Sequence, residues 1–316
     1  MGRLDSIIRT LTEATEKYKA KKHDIRKEEK KPEEIVEEEI VVTIDNFYRC
    51  SLSFESENVG PWLREENMDV GGGTISIADI DKIRAFPNAK NVIISGLHQD
   101  TFEYFIKTYG KQFKAIFFHK NKLVNDWSLL GTLPDLEFVH WRFNQRIDVF
   151  WDMSRNTSLQ GICIEGFPKL KSIAGIETVP NLKYFDIGDG FWPSNEIESL
   201  SPLQNTSVEY IGFGCKTLLD KDFSFIKNME QLRKLELSPS MLTVEQYAWL
   251  QANCSWLDKS VLGPVRIDDG CVYTYGRGKR NFKLEGNEKR LKKVEEEFRR
   301  LVEKMKGAAY PITDEP

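Results

Sequence analysis

The sequence predicts an α/β repeat: a solenoid of about seven short coils whose strands form one parallel, concave β-sheet, closed by a mixed N-terminal cap and by a C-terminal β-hairpin plus helix. Three observations predict it. One apolar triplet, with steps of three and two, recurs through the chain. Its first members are separated by 24, 23, 23, 23, 26 and 24 residues, a regularity that random apolar clustering rarely produces. The segments between triplets repeat a pattern of their own, ending in a Pro or an apolar residue just before the next strand.

The triplets are Ala89/Val92/Ile94, Phe113/Ile116/Phe118, Leu136/Val139/Trp141, Leu159/Ile162/Ile164, Leu182/Phe185/Ile187, Val208/Ile211/Phe213 and Leu232/Leu235/Leu237. The last two members of each are two residues apart, so both point to the same side of a short strand. The first turns inward as the chain enters that strand. About 23 residues suffice for a strand, a turn, a return and another turn, and stacking such coils at roughly 4.8 Å merges the inward residues into one core. A single coil cannot bury its apolar side, whereas seven can.

The returns fit this scheme. In Lys169–Leu182, Leu170, Ile173, Ile176 and Val179 fall at steps of three and Pro180 closes the coil. Leu133-Pro134-Asp135-Leu136 ends another coil in the same way. Steps of three suit a 3₁₀-like return. Two returns read as helices instead, one through Phe102, Phe105, Ile106 and Tyr109, the other through Val244, Tyr247, Ala248 and Leu250, where Thr243 and Gln246 form a capping box.

On these residues, over about 87–254, the chain resembles bacterial leucine-rich-repeat proteins of the short-coil, internalin-like kind. It departs from that family where an Asn usually bonds the backbone of neighbouring coils: Asn121 and Asn144 fit, but Leu97, Phe167, Gly190, Lys216 and Ser240 do not. The resemblance implies a non-enzymatic module that recognises a protein partner through its concave sheet, as an intracellular inhibitor, immunity or defence component. The segment after Cys254 lacks the Cys-x-Asp element of bacterial repeat effectors that carry a ubiquitin-ligase domain.

The flanks divide the rest. Residues 1–40 are a charged helix and linker, in which Leu4, Ile7, Ile8, Leu11 and Tyr18 form a stripe, Lys17–Lys31 holds eight Lys/Arg against three acids, and Glu33–Glu39 adds five acids. Residues 41–86 read as the N-terminal cap, with strands in the alternating segments from Val41 and from Thr74, and Gly71-Gly72-Gly73 as a turn that lacks the Lys-Ser/Thr of a phosphate loop. The solenoid spans 87–254. Residues 255–316 form the C-terminal cap: a hairpin turning at Asp269-Gly270, then a helix from about Asn287 to Lys306 with Leu291, Val294, Phe298, Leu301, Val302 and Met305 on one face.

Composition narrows the function classes. With 40% apolar content, seven Trp and nineteen Phe in 316 residues, a substantial core is available. A formal net charge of −4 gives no general drive toward nucleic acid or an acidic membrane. The N-terminus has no apolar run like that of a secretory signal, and no stretch approaches the roughly eighteen apolar residues of a membrane span. Its Met1-Gly2-x-x-x-Ser6 matches a myristoylation pattern only loosely, with Arg3 poorly suited to it. The five cysteines, Cys50, Cys163, Cys215, Cys254 and Cys271, include no C-x-x-C pair, which argues for free thiols in a reducing compartment and against a disulfide frame or a zinc site. A cytoplasmic protein is expected, with no cofactor and no metal.

Between the inward residues lie those expected on the concave surface, and the middle of that surface carries the candidate partner-binding residues. Phe117, Phe138, Tyr184 and Tyr210 sit among His119, His140, Arg142, Glu165 and Asp186, a mixture that protein interfaces enrich; the competing reading is that the chain's own flanks cover these aromatics or that they are exposed without consequence. Phe191 and Trp192, in the one coil with extra length, read either as a further contact point or as side chains tucked under the next coil. His119 and His140 fall diagonally on adjacent strands, roughly 7 to 8 Å apart, too far for a tight metal pair. Cys163 beside His140 invites a thiol nucleophile, for which a flat sheet offers no oxyanion donors. Two alternatives stay open: single-stranded nucleic acid gripped by the basic, aromatic segment 273–283 together with the 17–31 run, or an enzyme with a cleft between cap and solenoid.

Overall fold

In the computed structural model, the residues described are 62–63, 74–188, 195–259, 262–278 and 281–312. The expectations for the N-terminal helix, the charged runs, the strands and triple glycine between 41 and 73, and the loop bearing Phe191 and Trp192 lie outside them.

The alternation that sorts residues to two sides of a strand builds one all-parallel sheet. Its strands are β1 (Trp62–Leu63), β2 (Asn91–Ser95), β3 (Ala115–His119), β4 (Phe138–Arg142), β5 (Gly161–Glu165), β6 (Tyr184–Gly188), β7 (Tyr210–Gly214) and β8 (Lys234–Leu237), in that spatial order. All seven triplets end in these strands. Val92, Ile116, Val139, Ile162, Phe185, Ile211 and Leu235 are successive register partners, as are Ile94, Phe118, Trp141, Ile164, Ile187, Phe213 and Leu237. Every triplet member is buried except Leu237, which is partly buried against the same core. Such a wall is what makes short coils stable together and not singly.

The returns close the other side of the core. Helix α2 (Gln99–Tyr109) buries Phe102, Phe105 and Ile106, and helix α3 (Val244–Asn253) starts at the Thr243/Gln246 capping box read from the sequence. The other returns contain short 3₁₀ segments, as at Ser128–Thr132 and Ile176–Thr178, where tight spacing of apolar residues favours them. Phe102, Phe118, Trp127, Trp141 and Phe167 form a continuous aromatic cluster, with Phe118 and Trp141 stacked at 4.1 Å between centroids.

Each coil must leave its strand by a sharp corner. The residue just after β2, β3, β4 and β5 is left-handed in every case: Gly96, Lys120, Phe143 and Gly166, with φ of 77°, 56°, 62° and 68°. Two of the four corners thus use residues for which that conformation is unfavourable. Just beyond, Asn121 accepts from the Leu97 amide and donates to the Ile94 carbonyl, at 2.8 and 2.9 Å. Asn144 donates to the Asn121 and Val124 carbonyls and accepts from the Arg146 and Ile147 amides. Later coils satisfy these carbonyls by substitutes: Asn195 donates to the Phe167 carbonyl, and the Cys215 thiol lies 3.6 Å from the Ile187 carbonyl. Asn156, at the opposite corner, donates to Leu130 and Leu133 and accepts from the Trp151 indole.

One local expectation is corrected. The Thr74–Asp79 segment alternates like a strand, but the structure begins helix α1 (Ile77–Ile80) within it, because Ser76 and Asp79 form a reciprocal capping box that satisfies the first helical amides.

At the C-terminal end, β9 (Val265–Asp268), β10 (Cys271–Thr274) and β11 (Phe282–Lys283) form an antiparallel sheet, and positive φ at Asp269 and Gly270 makes the expected tight turn. Helix α4 (Glu288–Met305) buries Phe298 and packs Leu301, Val302 and Met305 on the core. Asn253 of α3 donates to the Met305 carbonyl and accepts from the Gly307 amide, and Trp249 donates to the Ala308 carbonyl. The helix therefore docks on its own chain.

Candidate functional site

The register that stacks the inward residues also stacks the intervening ones. Asn91, Ala115, Phe138, Gly161, Tyr184, Tyr210 and Lys234 form one column, and Ile93, Phe117, His140, Cys163, Asp186, Gly212 and Glu236 a second. Ser95, His119, Arg142, Glu165, Gly188 and Gly214 form the third. The nine candidates among the described residues thus share one face, as their spacing requires.

Their exposure differs from expectation. Phe138 and Tyr184 are each 6% exposed, His140 2% and Tyr210 0%. The panel of aromatics open to water is therefore corrected to a buried centre, while Phe117, His119, Arg142, Glu165 and Asp186 remain half-buried around it. Alternation assigns a residue to a face; it carries no information about what lies over that face.

The centre is organised by polar contacts. The Phe117 ring stacks on the His140 imidazole, 4.0 Å between centroids and 8° from parallel, and stands edge-on to His119. His140 and His119 are diagonal neighbours in the register, as expected, with Phe117 between them. Glu165 is shared: its Oε1 lies 3.2 Å from His140 Nε2 and its Oε2 3.4 Å from Arg142 Nε. Burial holds the His140 imidazole below its ordinary pKa, although the Glu165 carboxylate acts in the opposite direction. Cys163 is the register partner of His140, on the strand that also carries Glu165.

On the far side, the Tyr210 hydroxyl donates to Glu236 at 3.1 Å, Lys234 pairs with the same carboxylate at 2.8 Å, and burial raises the phenol above its usual range. The Asp186 carboxylate lies across Gly212, where an added Cβ would meet its Cγ at 2.7 Å. Gly212 is therefore the residue that makes room for Asp186. Spacing identified the columns, but neither the Glu236–Tyr210–Lys234 group nor the sharing of Glu165 carries a sequence signal.

The basic C-terminal segment is differently disposed. Tyr275 is buried, Arg266 covers the Tyr273 ring at 5.1 Å, and Arg277 donates to the Met241 carbonyl. Base stacking needs exposed aromatic faces, and this arrangement supplies none from Tyr275. Among the described residues, no helix is long and apolar enough to cross a membrane.

Neither a protein-family model nor a curated protein sequence matches the chain. Among solved structures it is similar to an internalin (inlF) from Listeria monocytogenes, at 14% identity and a TM-score of 0.39, over 58% of this chain and 56% of that one. The similarity thus spans little more than half the length of either protein.

Proposed function

We propose that this chain is a non-enzymatic recognition module that binds a protein partner at the concave face of its solenoid, and that it works in the cytoplasm of a bacterium. The observation that carries this reading is the rim of the concave face. Phe117, His119, Arg142, Glu165 and Asp186 combine aromatic, cationic and anionic groups on strands held in fixed register. Aromatic and arginine anchors amid mixed charge are enriched at protein interfaces. A preordered sheet loses little conformational entropy when a partner docks. In this reading Phe138, His140, Tyr184 and Tyr210 support the rim from beneath and do not touch the partner directly. Phe191 and Trp192 are proposed as an additional contact. The scattered cysteines support the cytoplasmic assignment.

The test is affinity capture from the native cell with three baits: the unaltered chain, Arg142→Glu, and Val149→Glu, which alters a residue outside the strands that is 64% exposed. A protein held by the unaltered and Val149→Glu baits but lost with Arg142→Glu supports the rim. A partner retained equally by all three removes the concave-face assignment.

A further inference from the structure

We propose that His140, Cys163 and Glu165 form a binding site for a divalent transition metal ion, with zinc the ion that best suits the donor set. Their ligand atoms all lie within 4.8 Å of one another. The spacing of cysteines along the chain conceals this site, because its ligands meet through the sheet register. His140 and Cys163 are partners on β4 and β5, and Glu165 lies two residues beyond Cys163 on the same face. An imidazole, a thiolate and a carboxylate are a common mixture at zinc and a poor one for magnesium or calcium, which prefer oxygen alone.

The geometry is close to what coordination needs. With metal–ligand bonds of about 2.0 to 2.1 Å, the edge between nitrogen and oxygen donors of a tetrahedron is about 3.3 Å, and His140 Nε2 to Glu165 Oε1 is 3.2 Å. A sulfur ligand sits farther out, at about 2.3 Å from the ion, and all three donor atoms lie within 4.8 Å of one another.

The surroundings hold the ligands in place. Arg142 engages the other oxygen of Glu165, leaving Oε1 directed at the imidazole. Phe117 stacks on the His140 ring and fixes its plane. Outer contacts of this kind orient ligands and contribute measurably to affinity. Coordination would convert the Cys163 thiol to a thiolate and release its proton to solvent, and a divalent ion balances that thiolate together with Glu165. Three protein ligands leave a fourth position for water or for a donor from a partner.

The experiment is a cobalt titration of the full chain, prepared without a polyhistidine tag. One equivalent of Co²⁺ should produce a sulfur-to-cobalt charge-transfer band that Zn²⁺ abolishes. Cys163→Ser should lose the band and Cys271→Ser should keep it. His140→Gln and Glu165→Gln should each weaken cobalt binding at least tenfold. Absence of the band in the unaltered chain, or its survival in Cys163→Ser, overturns the proposal. Should Cys163→Ser fail to fold, Glu165→Gln at its half-buried position decides: unchanged cobalt affinity overturns the site, and a tenfold loss supports it.

Discussion

The two faces of the main sheet come from the same strands, alternating residue by residue, and their centres are buried to nearly the same degree. The inner face is made of Val, Ile, Leu, Phe and one Trp in unbroken columns. The opposite face places a histidine, a cysteine and two tyrosines at equally buried positions, beside shared carboxylates. A buried apolar column needs only volume, whereas every buried polar group needs a partner. The outward face therefore relies on paired polar contacts, and the inner face on apolar packing.

The largest expected effect lies on the inner face. Trp141 is fully buried against Phe102, Phe118, Trp127 and Phe167, so Trp141→Ala should cost about 3 to 5 kcal/mol, read from urea midpoints. Tyr210→Ala tests whether the centre of the opposite face is buried to the same extent. A loss of about 3 kcal/mol is expected if it is, and well under 1 kcal/mol would return the face to open solvent. Next comes the coil corner: Asn144→Ala removes the partner of two buried carbonyls and two amides and should cost about 2 to 3 kcal/mol.

The smallest effect depends on pH. With its folded pKa held below the unfolded value near 6.5, His140 takes up a proton more readily when the chain is unfolded. Stability is therefore unaffected above that value and falls as pH drops through it, by at most about 1.4 kcal/mol per pH unit. Comparing urea midpoints at pH 7.5 and 5.5, His140→Gln should show a smaller decline than the unaltered chain. An equal decline would mean that His140 is not buried in its neutral form.

The solenoid was legible because its signal is local and repeated. Two apolar residues two apart identify a strand face, and seven copies at 23 to 26 residues identify the stack. The Thr243 capping box and the Asp269-Gly270 turn were legible for the same reason. Thr74–Asp79 was misread because alternation and a capping box compete in the same six residues, and the amide-satisfying contact prevailed. The corners were only partly legible, since Cys215 and a displaced Asn195 take over from the expected Asn. At the candidate site, face and neighbours followed from spacing, but burial and the sharing of Glu165 depend on contacts between strands 23 or more residues apart.

The claim that the concave rim is the recognition surface is tested most directly by photo-crosslinking in the native cell. A photoreactive amino acid is placed at His119, half-buried on the rim, or at Val149, exposed outside the strands. The account predicts a discrete crosslinked protein from position 119 and none from position 149. Crosslinks to a partner from 149 with none from 119 would contradict it.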